Sequence, residues 1–345
     1  MTEDHLKVGV IGAGMISDYH IRGLREAGAV VAAISSQTEE TAQQKAKQFD
    51  IPDYTLDYHE ILQRDDIAGV VIATPDYTHK PIALDAAKAG KGILLQKPMA
   101  RNSQECLDII SAAEEYGTPL YVSFMHRYFE EVQRTRELLE EDALGKVFSV
   151  RMRNATPGAR WAAWFYDRAK VGGGALIQLG VHGIDLLRYL FGEIEAVKAT
   201  TALMKVERLL DDGSVVRPNS EDLIFALYRF ESGMLGVHET VYNEVAGTDR
   251  FRMEIYGEEG TAWLRTERGD LAIYAPGYLG HEGWFSPLLP ALPLGKRQHA
   301  HFLAMLSGEA EPDTSAQDGL ATLLVAEAIY RSAGSGGWEE VANRE

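Results

Sequence analysis

The segment Val8-Gly9-Val10-Ile11-Gly12-Ala13-Gly14-Met15-Ile16-Ser17 constrains the fold of this chain more than any other. A short apolar run ends in two glycines and passes at once into a helical stretch. Gly12 suits the tight turn, and Gly14 lets the backbone approach a pyrophosphate whose charge faces a helix N-terminus. Gly12, Ala13, Gly14, Met15 and Ile16 are therefore the expected phosphate cradle of a dinucleotide. The pattern is G-x-G-x-x-S, because Ser17 stands where a third glycine usually serves helix–strand packing, a place that tolerates a small residue. Alone the motif is weak and equally describes a structural glycine turn. Its position in the first strand–turn–helix of an α/β pattern gives it weight.

That pattern runs from residue 6 to 122. Apolar runs at Leu6–Ile11, Val30–Ile34, Gly69–Ala73, Gly92–Leu95 and Leu120–Val122 alternate with helix-length segments at 14–27, 38–48, 77–89 and 103–116. Short strands that are apolar on both faces, with helices between them, indicate a buried parallel sheet. Residues 1–124 are thus expected to form a doubly wound α/β, Rossmann-type domain. After residue 145 the character changes. A helix at about 174–190 precedes strands at 194–203, 221–230, 234–243, 250–256 and 260–264, with a hairpin turn at Glu231-Ser232-Gly233. Successive strands without intervening helices predict a mostly antiparallel, open sheet. Residues 275–295, holding four prolines, predict an irregular loop, and helices are expected near 296–307 and 316–333. Residues 125–345 are read as a second, α+β domain, with the last helix able to return to the first domain.

Length and composition agree with two globular domains. The chain has 345 residues, 46% of them hydrophobic and 25% charged, and its 34 basic against 51 acidic residues leave a net charge of −17. Such a total argues against general nucleic-acid or anionic-membrane binding, although a small basic pocket is compatible with it. The single cysteine, Cys106, excludes an intramolecular disulfide framework and a cysteine-rich zinc site. Met1-Thr2-Glu3-Asp4-His5-Leu6 shows no basic segment followed by an apolar one, so no signal peptide is expected. No apolar run reaches the roughly 20 residues of a membrane span. A soluble, cytoplasmic protein is the expectation.

Cofactor choice is read at the end of the second strand, where an acidic residue usually meets the adenosine ribose. The chain has Ile34-Ser35-Ser36-Gln37 there, so Ser35 and Ser36 are the candidate contacts. No carboxylate opposes a 2′-phosphate, yet no arginine follows to bind one. The reading is NAD or NADP, with a lean to NADP. Ser36-Gln37-Thr38-Glu39 also reads as a helix capping box.

Two further groups of residues carry chemistry. Lys97, in Gln96-Lys97-Pro98, lies just beyond a strand at the sheet's carboxyl edge, where such sheets bind ligands. A lone lysine there is also an ordinary surface residue. In Gly172-Gly173-Gly174-Ala175-Leu176-Ile177-Gln178-Leu179-Gly180-Val181-His182-Gly183-Ile184-Asp185, Gln178 and His182 are four apart and share a helical face. Asp185 is placed to orient His182. The glycine run would admit a ligand near the helix start, and Gly180 and Gly183 would let backbone or ligand pack closely. The alternative for His182 is a core histidine. No nucleophile elbow, Walker loop or H-E-x-x-H motif occurs. His299 and His301, two apart, do not share a face and are read as core or solvated residues, and no metal is expected.

Taken together, these elements resemble the glucose–fructose oxidoreductase/inositol dehydrogenase (Gfo/Idh/MocA) family over nearly the whole chain. The carriers are Gly12-Ala13-Gly14 with Ser17 and His20, Ala73-Thr74-Pro75-Asp76-Tyr77-Thr78-His79, Gly90-Lys91 leading to Gln96-Lys97-Pro98, Trp164-x-x-Asp167, the Gly172–Asp185 run, and Ala328-Ile329-Tyr330 with Ser332-Ala333. The resemblance implies oxidation or reduction of a sugar, cyclitol or related polyol with NAD or NADP, in a homodimer or homotetramer built through the second domain's sheet. It places Thr74, Pro75, His79, Gln96, Lys97 and Trp164 among the cofactor contacts. Lys97, Arg127, Tyr128, Trp161, Asp167, Gln178 and His182 would bind substrate, with His238 and Trp284 further pocket candidates.

Within that resemblance, His182 is expected to be the general acid/base, Lys97 to stabilise the reacting oxygen, and Gln178 to orient His182 or substrate. Three departures stand out. Gln96 replaces the acid that opens the usual E-K-P motif, Asp76 replaces the asparagine of T-P-N, and Gln178 replaces an aspartate. A glutamine can hydrogen-bond an imidazole but cannot stabilise an imidazolium by charge. The alternatives implied by relatives are an oxidation–elimination glycoside hydrolase that recycles its NAD, a non-catalytic cofactor-binding sensor, and a dehydrogenase for non-sugar substrates such as cis-dihydrodiols.

Overall fold

A computed structural model describes residues 5–246, 250–265, 271–311 and 316–342. Met1 to Asp4, part of the segment read for a signal peptide, lie outside the described residues. The chain divides into two compact units, residues 1–125 with 291–320, and residues 126–290 with 321–345. Residues after 124 therefore do not all belong to the second unit, because 291–320 return to the first.

The first unit contains β1 (Lys7–Ile11), α1 (Met15–Glu26), β2 (Val30–Ser35), α2 (Glu39–Gln48), β3 (Asp53–Thr55), α3 (Tyr58–Leu62), β4 (Gly69–Ile72), α4 (His79–Lys88), β5 (Gly92–Gln96), α5 (Ser103–Glu115) and β6 (Leu120–Ser123). The strands form one parallel sheet in the order β3-β2-β1-β4-β5-β6. This is the doubly wound order whose reversal, between β1 and β4, opens a ligand crevice at the carboxyl ends. Val8, Val10, Val70, Val71, Ile72, Ile93, Leu94 and Leu95 are all fully buried, as a sheet covered on both faces demands. The edge strand β3 and helix α3 escape the sequence pattern because Asp53-Tyr54-Thr55 is short and exposed.

In the second unit come α6 (Glu130–Glu140), β7 (Val147–Ala155), α7 (Arg168–Val171), α8 (Val181–Phe191), β8 (Ile194–Ala202), β9 (Arg208–Leu209), β10 (Val215–Val216), β11 (Leu223–Phe230), β12 (Leu235–Val241), β13 (Phe251–Gly257), β14 (Thr261–Arg265) and β15 (Ala272–Tyr274). Helix α9 (Lys296–Leu306) lies in the first unit, and α10 (Ala316–Ser335) begins there and continues into the second, followed by β16 (Glu339–Glu340). An open sheet runs β15-β14-β13-β7-β12-β11-β8-β16. All of its pairs are antiparallel except β7 with β12. β9 and β10 form a separate hairpin. The β11–β12 turn falls at Glu231-Ser232-Gly233 as expected, with Gly233 at φ 82° and its N–H donating to Phe230 O. Residues 275–295 are largely irregular. No helix among the described residues is long and apolar enough to cross a membrane.

Candidate active site

In the first unit, the turn after β1 is built as the glycines require. Gly12 takes φ 106°, its N–H donates to Ser35 O at 3.0 Å, and a Cβ on it would lie 2.4 Å from Ala73 O. Only glycine satisfies both demands. Gly14 is the N-cap of α1, receives no side-chain cap, and has open space where a Cβ would be. Met15 beside it is exposed. An uncapped helix N-terminus with room against its backbone fits a phosphate. Ser17 does more than pack: its hydroxyl donates to Gly14 O at 2.6 Å and ties the turn to the helix.

Ser35 is buried behind the turn and Ser36 is half-buried. The cap of α2 is not Ser36 but Thr38, whose side chain accepts from Thr41 N. On the far side of the crevice, the Thr78 hydroxyl donates to Thr74 Oγ1 at 2.8 Å and to Pro75 O at 2.7 Å, which sets the loop after β4. His79 does not line this crevice. It is fully buried, and its two ring nitrogens lie 2.9 Å from Pro98 O and 2.9 Å from Thr74 O. Burial lowers its pKa, the two carbonyls oppose that, and the Lys97 charge reinforces it. His79 thus ties the loop after β4 to the loop after β5. Gln96, also expected among the cofactor contacts, holds Lys97 N and His20 with the two ends of its amide. Lys97 is half-buried at the end of β5, in the position expected of it.

In the second unit, Gln178 and His182 lie on one continuous helical run, and both are only 5% exposed. Its first turn, Leu176–Gly180, is π-helical, with Val181 N–H reaching back to Leu176 O. Single π turns are frequent at functional sites. Two of the preceding glycines are required by close packing within the unit. A Cβ on Gly173 would lie 2.0 Å from the Tyr330 hydroxyl, and one on Gly174 would lie 2.0 Å from Glu221 O. The Glu221 carboxylate accepts from Gly174 N at 2.9 Å, Leu176 N at 3.2 Å and the Tyr330 hydroxyl at 2.8 Å, seating the start of the run, and its burial raises its pKa.

Asp185, expected to orient His182, is engaged by a cation. Its carboxylate accepts from Arg127 Nε at 2.9 and 3.1 Å, in a pair buried on both sides. Arg127, which also lies 4.8 Å over the Tyr189 ring, is accordingly a structural cation rather than a sugar ligand. What faces His182 is a residue the sequence reading missed. The His126 ring stacks on His182 with centroids 4.1 Å apart and planes 13° apart. Its signal was its place directly after β6, beside Arg127. Tyr128 is half-buried. Trp161 is exposed and packs edge-on against Phe165, while Trp164 lies 4.1 Å from the same ring. Asp167 caps α7 by accepting from Ala169 N at 3.1 Å. His238, a further pocket candidate, is instead buried, with its Nδ1 2.9 Å from the Tyr228 hydroxyl and its Nε2 2.8 Å from Asn154 Oδ1. Trp284 is exposed and 5.7 Å from the Tyr274 ring. Among the described residues no three His, Cys, Asp or Glu side chains gather as metal ligands would.

Comparison with known proteins decides the family. Residues 6–124 match the model of an oxidoreductase family with an NAD-binding Rossmann fold, and residues 132–263 match the GFO/IDH/MocA C-terminal domain. An inositol 2-dehydrogenase of Saccharopolyspora erythraea is 31% identical over 96% of this chain and 94% of its own. The chain belongs to the Gfo/Idh/MocA oxidoreductase family. Another Gfo/Idh/MocA relative, levoglucosan dehydrogenase of Pseudarthrobacter phenanthrenivorans, is 28% identical over 98% of each chain. A solved structure of levoglucosan dehydrogenase in complex with NADH and L-sorbose superposes with a TM-score of 0.90 at 26% identity, covering 99% of this chain and 100% of that one. Both the Rossmann sheet and the open, mostly antiparallel sheet expected of a Gfo/Idh/MocA oxidoreductase are present.

Proposed function

We propose that this oxidoreductase moves a hydride between a hydroxyl-bearing carbon of a sugar, cyclitol or related polyol and nicotinamide. The observation that carries the reading is His182. It is a buried imidazole one turn beyond Gln178, stacked on His126, in a chain whose first unit offers an uncapped, glycine-flanked helix N-terminus for a dinucleotide. Support for the substrate class comes from relatives named for levoglucosan and inositols.

The bound nicotinamide supplies hydride acceptance and return. His182 takes the hydroxyl proton as the carbon is oxidised and gives it back in the reverse direction. His126, stacked face to face on it, fixes the plane of the His182 ring. Lys97 donates to the reacting oxygen and offsets its developing negative charge. Gln178 orients His182 or the substrate through its amide. Tyr128, Trp161, Trp164 and Asp167 remain assigned to substrate or cofactor contacts. The absence of a carboxylate at Ser35-Ser36-Gln37 admits either NAD or NADP.

We further assign the outer face of the second unit's sheet to self-association. Phe225, Leu227, Leu235 and Val237 are all exposed on the adjacent strands β11 and β12, with Leu227 directly opposite Val237. Contiguous exposed apolar surface of this kind marks an interface.

The test is absorbance at the reduced-nicotinamide band. Protein is mixed with NAD or NADP and a panel of aldoses, inositols, anhydrosugars and glycosides. Growth with a polyol is expected and identifies the cofactor. Silence throughout, with glycoside loss seen by chromatography, replaces this reading with the oxidation–elimination hydrolase.

A further inference from the structure

A chain of four hydrogen bonds, the last three of them buried, leads away from Lys97, all of it within the first unit. Lys97 N–H donates to Gln96 Oε1 at 2.8 Å. Gln96 Nε2 lies 2.9 Å from His20 Nε2. His20 Nδ1 lies 2.9 Å from His299 Nε2, and His299 Nδ1 lies 2.7 Å from Gly295 O. His20 and His299 are fully buried and Gln96 is 5% exposed. Gly23 on α1 makes room for the arrangement, since a Cβ there would lie 2.2 Å from His299 Nδ1. A parallel brace runs beside it. The Tyr19 hydroxyl donates to Gln298 Oε1 at 2.6 Å, and Gln298 Nε2 donates to Ser123 Oγ at 3.0 Å.

The two ends fix the direction of every proton. A carbonyl oxygen only accepts, so His299 carries its proton on Nδ1. A neutral imidazole has one N–H, so His299 Nε2 accepts and His20 Nδ1 donates to it. His20 Nε2 is then an acceptor and is met by the Gln96 N–H. The remaining Gln96 atom, Oε1, accepts from Lys97. Reversing the amide would set Gln96 N–H against Lys97 N–H. Burial, which holds His20 well below its ordinary pKa and His299 at about 4, agrees with two neutral rings.

We propose that Gln96 is a positioning residue for Lys97, and that the proton order of the Gln96–His20–His299–Gly295 chain requires a neutral amide where the family's usual motif has an acid. A carboxylate at this position would need a donor from His20 Nε2. His20 Nδ1 would then need a donor from His299 Nε2, and the lone pair of His299 Nδ1 would face the Gly295 carbonyl. A bond is lost or an imidazole is forced to take a second proton. The inference rests on the proposed role of Lys97 only for its catalytic consequence. The proton order stands on the geometry.

Two measurements test it. With 15N-histidine labelling, long-range 1H–15N spectra distinguish protonated from unprotonated ring nitrogens, and the signals are assigned by their loss in His20→Gln and His299→Gln. Both rings are expected as Nδ1–H tautomers at neutral pH. An Nε2–H tautomer or an imidazolium at either position overturns the order. The second measurement is a rescue. Gln96→Glu should lower kcat about 10- to 100-fold on a substrate found in the oxidation screen, with the KM for cofactor nearly unchanged, and should lower the unfolding midpoint. His299→Gln alone should be mild, because its amide oxygen can accept from His20. Combined with Gln96→Glu, its N–H2 can donate to His20 Nδ1 and complete the reversed chain, so most of both losses should return. Gln96→Glu losses that the second substitution leaves unchanged overturn the proposal. If no substrate is oxidised by the parent, the function reading fails, while the tautomers and the recovery of the midpoint still decide the chain.

Discussion

His182 and His238 are both buried imidazoles of the second unit, yet their surroundings separate them. His238 sits between Tyr228 and Asn154, and burial pushes its pKa down to about 3. It stays neutral in the fold and protonates when the chain unfolds, so the unfolded state binds more protons and stability rises with pH. The contribution is fully present above about pH 6.5 and falls by about 1.4 kcal/mol per unit as pH drops toward the folded value. His238→Gln should therefore lose about 2 kcal/mol less than the parent between pH 6.5 and 5, read from urea unfolding. Equal slopes would mean that the ring takes up protons alike in the folded and unfolded states. His182 and Lys97 are assigned to chemistry. Alanine at either should reduce turnover about 100-fold or more while cofactor affinity stays nearly intact, and near-normal rates in both variants would remove them from the mechanism. Gln178→Asp should move the basic limb of the pH–rate profile if its side chain touches the base. The positions of Gly12, Lys97, Gln178 and His182 were legible in the sequence because local pattern fixes them: a strand end, a glycine turn, a four-residue spacing. The partners of Asp185, His79 and Gln96 were not, since Arg127, Pro98 and His20 reach them across the fold at separations no spacing rule covers.

Helix α8 shows how an element is seated by what lies under it. A Cβ on Gly183 would stand 2.4 Å from Asn154 Oδ1 and 2.6 Å from His238 Nε2, and one on Gly180 would stand 2.9 Å from Thr240 Oγ1. The two glycines that cost helix propensity therefore let the run that carries His182 settle on polar side chains of β7 and β12. Gly183→Ala must lift the helix or break the Asn154–His238 bond. Overpacking of this kind costs about 1–3 kcal/mol. The expected variant unfolds at a lower midpoint and turns over slowly, while its affinity for NADH, held by the other unit, is unchanged. An alanine variant with parental stability and rate would show that the helix has slack at this contact. Close approach at these glycines was foreseeable from sequence, but its target was not, because β7 itself had been missed. In Val147–Ala155 the inward positions include Asn154, and the outward ones mix Phe148 with Arg151 and Arg153, so no clean alternation marks a strand lying deep within its sheet. β13, with apolar residues at alternate positions, was readable for the opposite reason, and β11 was readable because its run is apolar almost throughout.

At the scale of the molecule, the second unit's sheet has one face that it does not cover itself. Inward residues of β11, Ile224, Ala226, Tyr228 and Phe230, are buried, while Phe225 and Leu227 between them are 49% and 44% exposed. Leu235 and Val237 on β12 continue the same apolar surface at 55% and 40%. An ordinary solvated sheet face alternates apolar-in with polar-out, so four large apolar side chains pointing outward on neighbouring strands call for a cover. On the proposed self-association, a second copy of the chain would meet that need through a two-fold contact in which the same patch serves both partners. A net charge of −17 opposes association at long range, and the four apolar positions have Lys198, Arg151, Glu239 and Arg229 as cross-strand neighbours, so self-association requires apolar burial to outweigh that repulsion. Specific dimers bury about 800 Å² per partner, so such a contact would have to extend from these four side chains onto the neighbouring strands β7 and β8. Light scattering after size exclusion should give twice the chain mass, 38.1 kDa, or a higher multiple of it. Leu227→Glu with Val237→Glu places two carboxylates directly opposite one another, and so four at the centre of a two-fold contact. That variant should run as a monomer with its far-ultraviolet circular dichroism unchanged, because neither side chain contributes to the buried face. A parent protein that is monomeric at high concentration, or a double variant that keeps the parental mass, would assign this apolar face to something other than self-association.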